Sequence, residues 1–151
     1  MKPHTCACGA ELHDLFRQVV RLNAALGIIM DSVHEQSGMT TPQKRVATQI
    51  AESGPLTVPD IAFVLGVSRQ FIQTVCNDLH LTGLLEFRDN PKHKRSRLAV
   101  LTAAGQQAYN AAVCKENEMI QTIFSGTDGT DVRRATALLD ALRRRIEETA
   151  F

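Results

Sequence analysis

Three groups of residues in this chain have the chemistry to bind something. His4, Cys6, Cys8 and His13 crowd the first thirteen positions. Thiolate and imidazole together form a zinc- or copper-type ligand set. Their C-x-C spacing differs from the C-x2-C pairs of closed structural zinc sites, so three readings stay open: metal ligands, oxidant-sensing thiols, or a tail whose thiols have no role. A second group is basic. From Arg88 to Arg97 five Lys or Arg stand against one Asp, a local +4 in a chain whose total is +1. Lys92, His93, Lys94, Arg95 and Arg97 follow Asp89-Asn90-Pro91, strong turn chemistry, which puts their charge at a hairpin tip within reach of a phosphate backbone or a minor groove. The third group precedes it. Arg69, Gln70, Gln73, Thr74 and Asn77 are long or amide-bearing polar residues at helical spacing, able to offer donors and acceptors to base edges. Either polar group alone reads as an ordinary solvated face; their succession points to nucleic acid.

The elements that must position these residues follow from local chemistry. Thr57 can cap a helix with Pro59 in its first turn and Asp60 at its third position, near the positive end of the dipole. Ile61, Ala62 and Leu65 give that helix one buried side, Gly66 ends it, and Val67-Ser68 make a turn in which Ser68 caps the next helix. In that second helix Phe71, Ile72, Val75 and Leu79 recur at spacings of three and four and are expected in the core. Thr82-Gly83 stops it, and strands over 84–88 and 98–101 flank the basic turn. Residues 56–102 therefore read as a helix-turn-helix followed by a cationic hairpin, a device for gripping duplex DNA.

The flanks are helical. Leu12, Leu15, Val19, Leu22, Leu26, Ile29 and Val33 keep a strict 3-4-3-4 spacing that predicts one long helix over 10–36. The pair Thr41-Pro42, as cap and proline, starts another helix reaching Glu52. Thr102 caps a helix carrying Ala108, Ala112, Met119, Ile120 and Ile123; after the break at 125–129 a last helix presents Val132, Ala135, Leu139, Leu142 and Ile146, with Arg133, Arg134, Arg143, Arg144 and Arg145 opposite. A winged helix needs only three helices, so these apolar stripes at both ends have surplus surface to bury, and a symmetric homodimer is the economical answer. The expected division is a mobile tail at 1–9, a helical dimerisation region at 10–36 and 103–151, and a DNA-binding domain at 37–102. The fold class is mainly α with a small β-hairpin wing.

Composition narrows the class. The chain has 151 residues, 44% hydrophobic and 22% charged, without tryptophan, and holds no apolar run long enough to span a bilayer. Its N-terminus lacks the apolar stretch of a secretion signal, which places it in the cytoplasm, where four cysteines are expected as thiols rather than disulfides. Cys76 and Cys114 are expected as helix packing, and His34, His80 and His93 form no cluster. No nucleophile elbow, phosphate-cradling glycine loop, zinc-protease helix or paired catalytic carboxylates occurs, so neither an enzyme nor a cofactor is expected.

Leu65-Gly66-Val67-Ser68-Arg69-Gln70, then Leu79, Gly83-Leu84, the basic hairpin and Leu101-Thr102-Ala103-Ala104-Gly105 resemble the MarR family of bacterial winged-helix transcription regulators. The similarity is strongest over residues 40–110. The resemblance implies a homodimeric regulator, most simply a repressor, that binds a palindromic operator in double-stranded DNA and is released by a small-molecule effector or a redox signal. By the same resemblance Ser68, Arg69, Gln70, Gln73 and Thr74 fall where family members touch bases or phosphates, and Arg95 matches the wing-tip arginine. Two positions depart from the pattern: His93 stands where many members carry an aspartate that braces the wing arginine, and Thr74 where a second arginine is frequent. Two other functions compete: a metal- or thiol-responsive sensor centred on His4, Cys6 and Cys8, and a winged-helix protein-interaction module that never touches DNA.

Overall fold

The computed structural model describes residues 6–150, apart from the side chains of 34–37 and 150. His4, with the rest of residues 1–5 of the expected tail, lies outside the described residues. The elements run α1 (Gly9–Ser37), α2 (Thr41–Ser53), β1 (Leu56–Thr57), α3 (Val58–Leu65), α4 (Arg69–Leu81), β2 (Leu85–Arg88), β3 (Leu98–Leu101), α5 (Ala103–Ile123) and α6 (Gly129–Ala150). The chain divides into two compact units, one up to Glu116 and one from Asn117 onward, with the boundary inside α5.

The first unit is the helix-turn-helix and its surroundings. Its core holds Met39, Val46, Ala47 and Ile50 from α2 and its approach, Ile61 and Ala62 from α3, Ile72, Val75, Cys76 and Leu79 from α4, and Leu85 and Ala99 from the sheet. On α4 the expected Ile72, Val75 and Leu79 are buried, as is Cys76, expected as packing, and Phe71 alone departs from the expected stripe, at 45% exposed. The cause is the start of the helix: Phe71 is its third residue, beside the capped turn, while Ile72, Val75, Cys76 and Leu79 make the 3-1-3 set that faces inward. Three of the four expected caps follow the sequence, Thr102 at the start of α5 among them. Thr57 accepts from the Asp60 N–H at 3.3 Å and Ser68 from the Phe71 N–H at 3.2 Å. For α2 the cap is Thr40, not Thr41. Thr40 takes the Gln43 N–H while the Gln43 side chain accepts the Thr40 N–H, a reciprocal box that Thr41 cannot close, and the Thr41 hydroxyl instead donates to Asp31.

The wing belongs to a three-stranded antiparallel sheet in the order β1-β3-β2. Leu85 pairs with Leu101 and Phe87 with Ala99, and Ala99 meets Leu56 on its other side. The third strand, β1, is two residues long, too short to show an alternation. The root of the wing is pinned to α5. Thr102 donates its hydroxyl to the Gly83 carbonyl at 2.6 Å and its N–H to the Leu84 carbonyl at 3.1 Å, and its hydroxyl oxygen accepts from the Gly105 N–H at 3.0 Å. Gly105 has no room for a side chain: a Cβ there would lie 1.9 Å from the Leu84 carbonyl oxygen. Further along α5, Glu116 receives Lys44 of α2 in a 2.7 Å ion pair whose side chains are only 18% and 12% exposed. Cys114, expected as packing, is exposed, because Ala112 and Glu116 occupy the inward side of that stretch of α5.

α1 spans the expected helix and ends at Gly38 in the left-handed conformation (φ 77°). Its apolar stripe is not covered evenly: Leu12, Leu15, Leu26, Ile29 and Val33 are half-buried, while Val19 and Leu22 are 38% and 53% exposed. The second unit carries α6, where Val132, Leu138, Leu139 and Ile146 are also exposed. Asp128 caps α6 by accepting from the Thr130 and Asp131 N–H groups at 2.6 and 3.3 Å, which hold its carboxyl below the usual range. Among the described residues no helix is long and apolar enough to cross a membrane.

Candidate nucleic-acid interface

α4 separates its residues cleanly. The core side is apolar, and Arg69, Gln70, Thr74 and Asn77 are exposed on the other side, with Gln73 half-buried between them. Two local bonds order this face. The Gln73 Nε2 amide donates to Asn77 Oδ1 at 2.9 Å, and the Thr74 hydroxyl donates back to the Gln70 carbonyl at 3.1 Å. Ser68, exposed at the start, engages its hydroxyl oxygen as the cap.

The wing tip is held by its backbone. Asn90 accepts the Lys92 N–H on its side chain at 3.0 Å and the His93 N–H on its carbonyl at 3.2 Å; the His93 carbonyl accepts the Ser96 N–H at 3.1 Å. Lys92, His93, Lys94 and Arg95 are all exposed, and none of their side chains has a hydrogen-bond or ion-pair partner among the described residues. The two flanking arginines differ. Arg88 is paired with Glu86 at 2.5 Å, and Arg97 donates to the Phe87 carbonyl at 2.7 Å while its guanidinium lies 5.5 Å from the centre of the Phe87 ring. Of the five cations only Arg88 is offset by an ion pair; Arg97 keeps its charge but is held in place, and Lys92, Lys94 and Arg95 have no side-chain partner among the described residues.

Phe87 also receives the edge of the His80 ring at 5.5 Å and an interplanar angle of 60°. His80 Nδ1 lies 2.9 Å from the Leu85 carbonyl, which can only accept, so that nitrogen carries the proton. The resulting stack, His80 on Phe87 on Arg97, joins the end of α4 to both strands of the wing. Reading by residue type missed His80 and Phe87. The available signal was the strand alternation that puts Phe87, two residues after buried Leu85, on the same face.

α4 and the wing enclose a groove of about 620 Å³ lined by Arg69, Gln70, Gln73, Asn77, Arg95 and Arg97, with His80, Phe87 and Pro59 among its other walls. Six of the eleven residues expected to touch DNA thus share one concavity. Lys92 and His93 line a second groove of about 580 Å³ against the start of α3, which shares Pro59 and Ser96 with the first. Ser68, Thr74 and Lys94 line neither groove.

The N-terminal residues show a different pattern. Cys6 and Cys8 are exposed thiols. The Cys8 N–H donates to the Glu11 carboxylate at 2.7 Å, which lowers the Glu11 pKa and gives Cys8 a place in the first turn of α1. The His13 ring lies 3.3 Å from the Arg17 guanidinium, itself paired with Asp14 at 3.0 Å. Among the described residues no group of three or more His, Cys, Asp or Glu is arranged to hold a metal ion. Cys76 sits in the core, where burial pushes its thiol up to about 11.

A mostly helical chain with a small antiparallel sheet and a helix-turn-helix running into a wing has the winged-helix architecture. Residues 37–96 match the family model described as MarR family. The protein Rv2011c of Mycobacterium tuberculosis is 34% identical over 140 residues, covering 90% of this chain and 92% of that protein. Among solved structures, wild-type MarR (apo form) from E. coli superposes with a TM-score of 0.75 at 20% identity, over 85% of this chain and 96% of that one. CouR from Rhodococcus jostii RHA1, solved bound to p-coumaroyl-CoA, gives a TM-score of 0.72 at 17% identity, over 85% and 91% of the two chains. This chain belongs to the MarR family, whose members are transcription regulators and not enzymes.

Proposed function

We propose that this protein is a homodimeric, sequence-specific repressor that binds a palindromic operator in double-stranded DNA and acts in the cytoplasm, where its target lies. α4 enters the major groove with Arg69, Gln70, Gln73, Thr74 and Asn77 toward the bases, Ser68 at the entry, and Lys92, His93, Lys94, Arg95 and Arg97 along the backbone or minor groove beside it. The observation that carries this reading is the shared concavity: the polar face of α4 and the unengaged Arg95 line one groove with Arg97, and Lys92 and Lys94 are exposed on the same wing tip. A duplex supplies the missing counter-charge. The partly exposed stripe of α1, with Val19 and Leu22 uncovered, supports a second copy as its partner, which sets two reading helices one DNA turn apart.

Release by a small molecule is supported by the fold shared with CouR, a protein described with p-coumaroyl-CoA bound; Cys6 and Cys8 are exposed enough for a redox signal instead. The test is a gel shift on the gene's own upstream region with specific and random competitor DNA. Arg69→Ala and Arg95→Ala are each expected to weaken the specific complex, the first with loss of discrimination. Salt-fragile, sequence-blind binding by the unmodified protein would refute the proposal.

A further inference from the structure

The ordered amides of α4 point to a particular base. Gln73 and Asn77 lie one helical turn apart on the groove-facing side of α4, and the Gln73 amide N–H donates to Asn77 Oδ1 at 2.9 Å. A glutamine amide has two N–H donors and one carbonyl acceptor. With one N–H engaged by Asn77, Gln73 retains one donor beside one acceptor. That pair is the complement of the major-groove edge of adenine, which offers an N7 acceptor beside an N6 donor. Guanine offers two acceptors there, so its O6 would face the Gln73 carbonyl oxygen, and the mismatch disfavours it. Position matters as much as chemistry. Gln73 is half-buried while Arg69, Gln70, Thr74 and Asn77 around it are exposed, so its amide has less freedom to turn over and exchange its donor for its acceptor.

We propose that Gln73 is a specificity-determining residue that reads one adenine in each half-site, and that Asn77 is the positioning residue that holds the Gln73 amide in its reading orientation. The assignment rests on the DNA-reading function proposed above and deepens it.

The experiment selects bound sequences from a random duplex pool with the intact protein, then replaces each adenine of the selected half-site in turn by 7-deazaadenine, which lacks the N7 acceptor. One adenine per half-site is expected to lose affinity on the order of tenfold on this replacement, and Gln73→Ala is expected to abolish the preference at that position alone. Asn77→Ala should weaken discrimination at the same adenine, and Asn77→Asp, which keeps an acceptor, should restore the ratio of affinities even where overall binding falls. Gln73→Glu, which retains only acceptors, should shift the preference there toward cytosine. The proposal is overturned if Gln73→Ala leaves every position's preference unchanged, or if the position it controls selects guanine. Unaltered discrimination in Asn77→Ala overturns the role of Asn77. A selection that yields no preferred sequence with the unmodified protein removes the DNA-reading function itself, an outcome distinct from a selected site that is indifferent to Gln73.

Discussion

Removing Lys92, Lys94 and Arg95 together should flatten the salt dependence of operator binding by an amount that the structure fixes in advance. These three side chains have no partner among the described residues, whereas Arg88 is paired with Glu86 and Arg97 with the Phe87 carbonyl. In a dimer the wings then supply six free cations. Each phosphate neutralised contributes about −0.9 to the slope of log K against log salt, so six contribute about −5. Between 50 and 200 mM salt that slope corresponds to an affinity loss on the order of a thousandfold, which the triple alanine variant should largely escape. The measurement is fluorescence anisotropy with a labelled operator across that salt range, comparing slopes rather than single affinities. Arg88→Ala serves as the control and should leave the slope nearly unchanged. A slope change below about 2 in the triple variant would mean that at most one of the three cations meets a phosphate, and the assignment of the electrostatic grip to the wing tip would then be wrong.

Three further outcomes are expected. Phe87→Leu removes the ring that joins His80 to Arg97, and it should weaken operator affinity while leaving the salt slope intact; a changed slope would show that the stack contributes charge rather than placement. Gly105→Ala forces a Cβ into the Leu84 carbonyl and should cost about 1–3 kcal/mol, a fall in Tm of roughly 3–10 °C by calorimetry, and an unchanged Tm would contradict the close approach described above. At pH 8 a thiol reagent should label Cys6 and Cys8 in the folded protein but not Cys76, whose proton is retained up to about 11; Cys76 should react only after unfolding, as mass spectrometry of the labelled peptides would reveal.

The reading unit was largely visible in the residues themselves. Thr57, Ser68 and Gly66 mark helix boundaries through interactions with their near neighbours, so the chain announces them without any tertiary information. What escaped depends on partners distant in sequence or on competition between adjacent candidates. Thr40 and Thr41 are both competent caps, and Gln43 decides between them by closing the box with the first. Phe71 fits the helical stripe of α4 by spacing, and only the packing of α2, α3 and the sheet against α4 leaves it outside the core. The expected charge of the wing was right as a sum, but which of its cations are held was not legible, since the engagement of Arg88 and Arg97 appears only when the two strands are paired. His80 looked isolated because its partner, Phe87, becomes its neighbour only after the chain reverses at Gly83.

The joint at Thr102 and Gly105 has a consequence for anyone who wishes to rewire this regulator. One hydroxyl bridges the Gly83 carbonyl and the Gly105 N–H, and the backbone of α5 passes so close to Leu84 that no side chain fits between them. The first turn of α5 is therefore mechanically part of the DNA-reading unit. A chimera that grafts a foreign helical region onto this chain should take its splice point beyond Gly105, because a cut at the end of β3 would sever the contacts that fix the root of the wing to the first turn of α5.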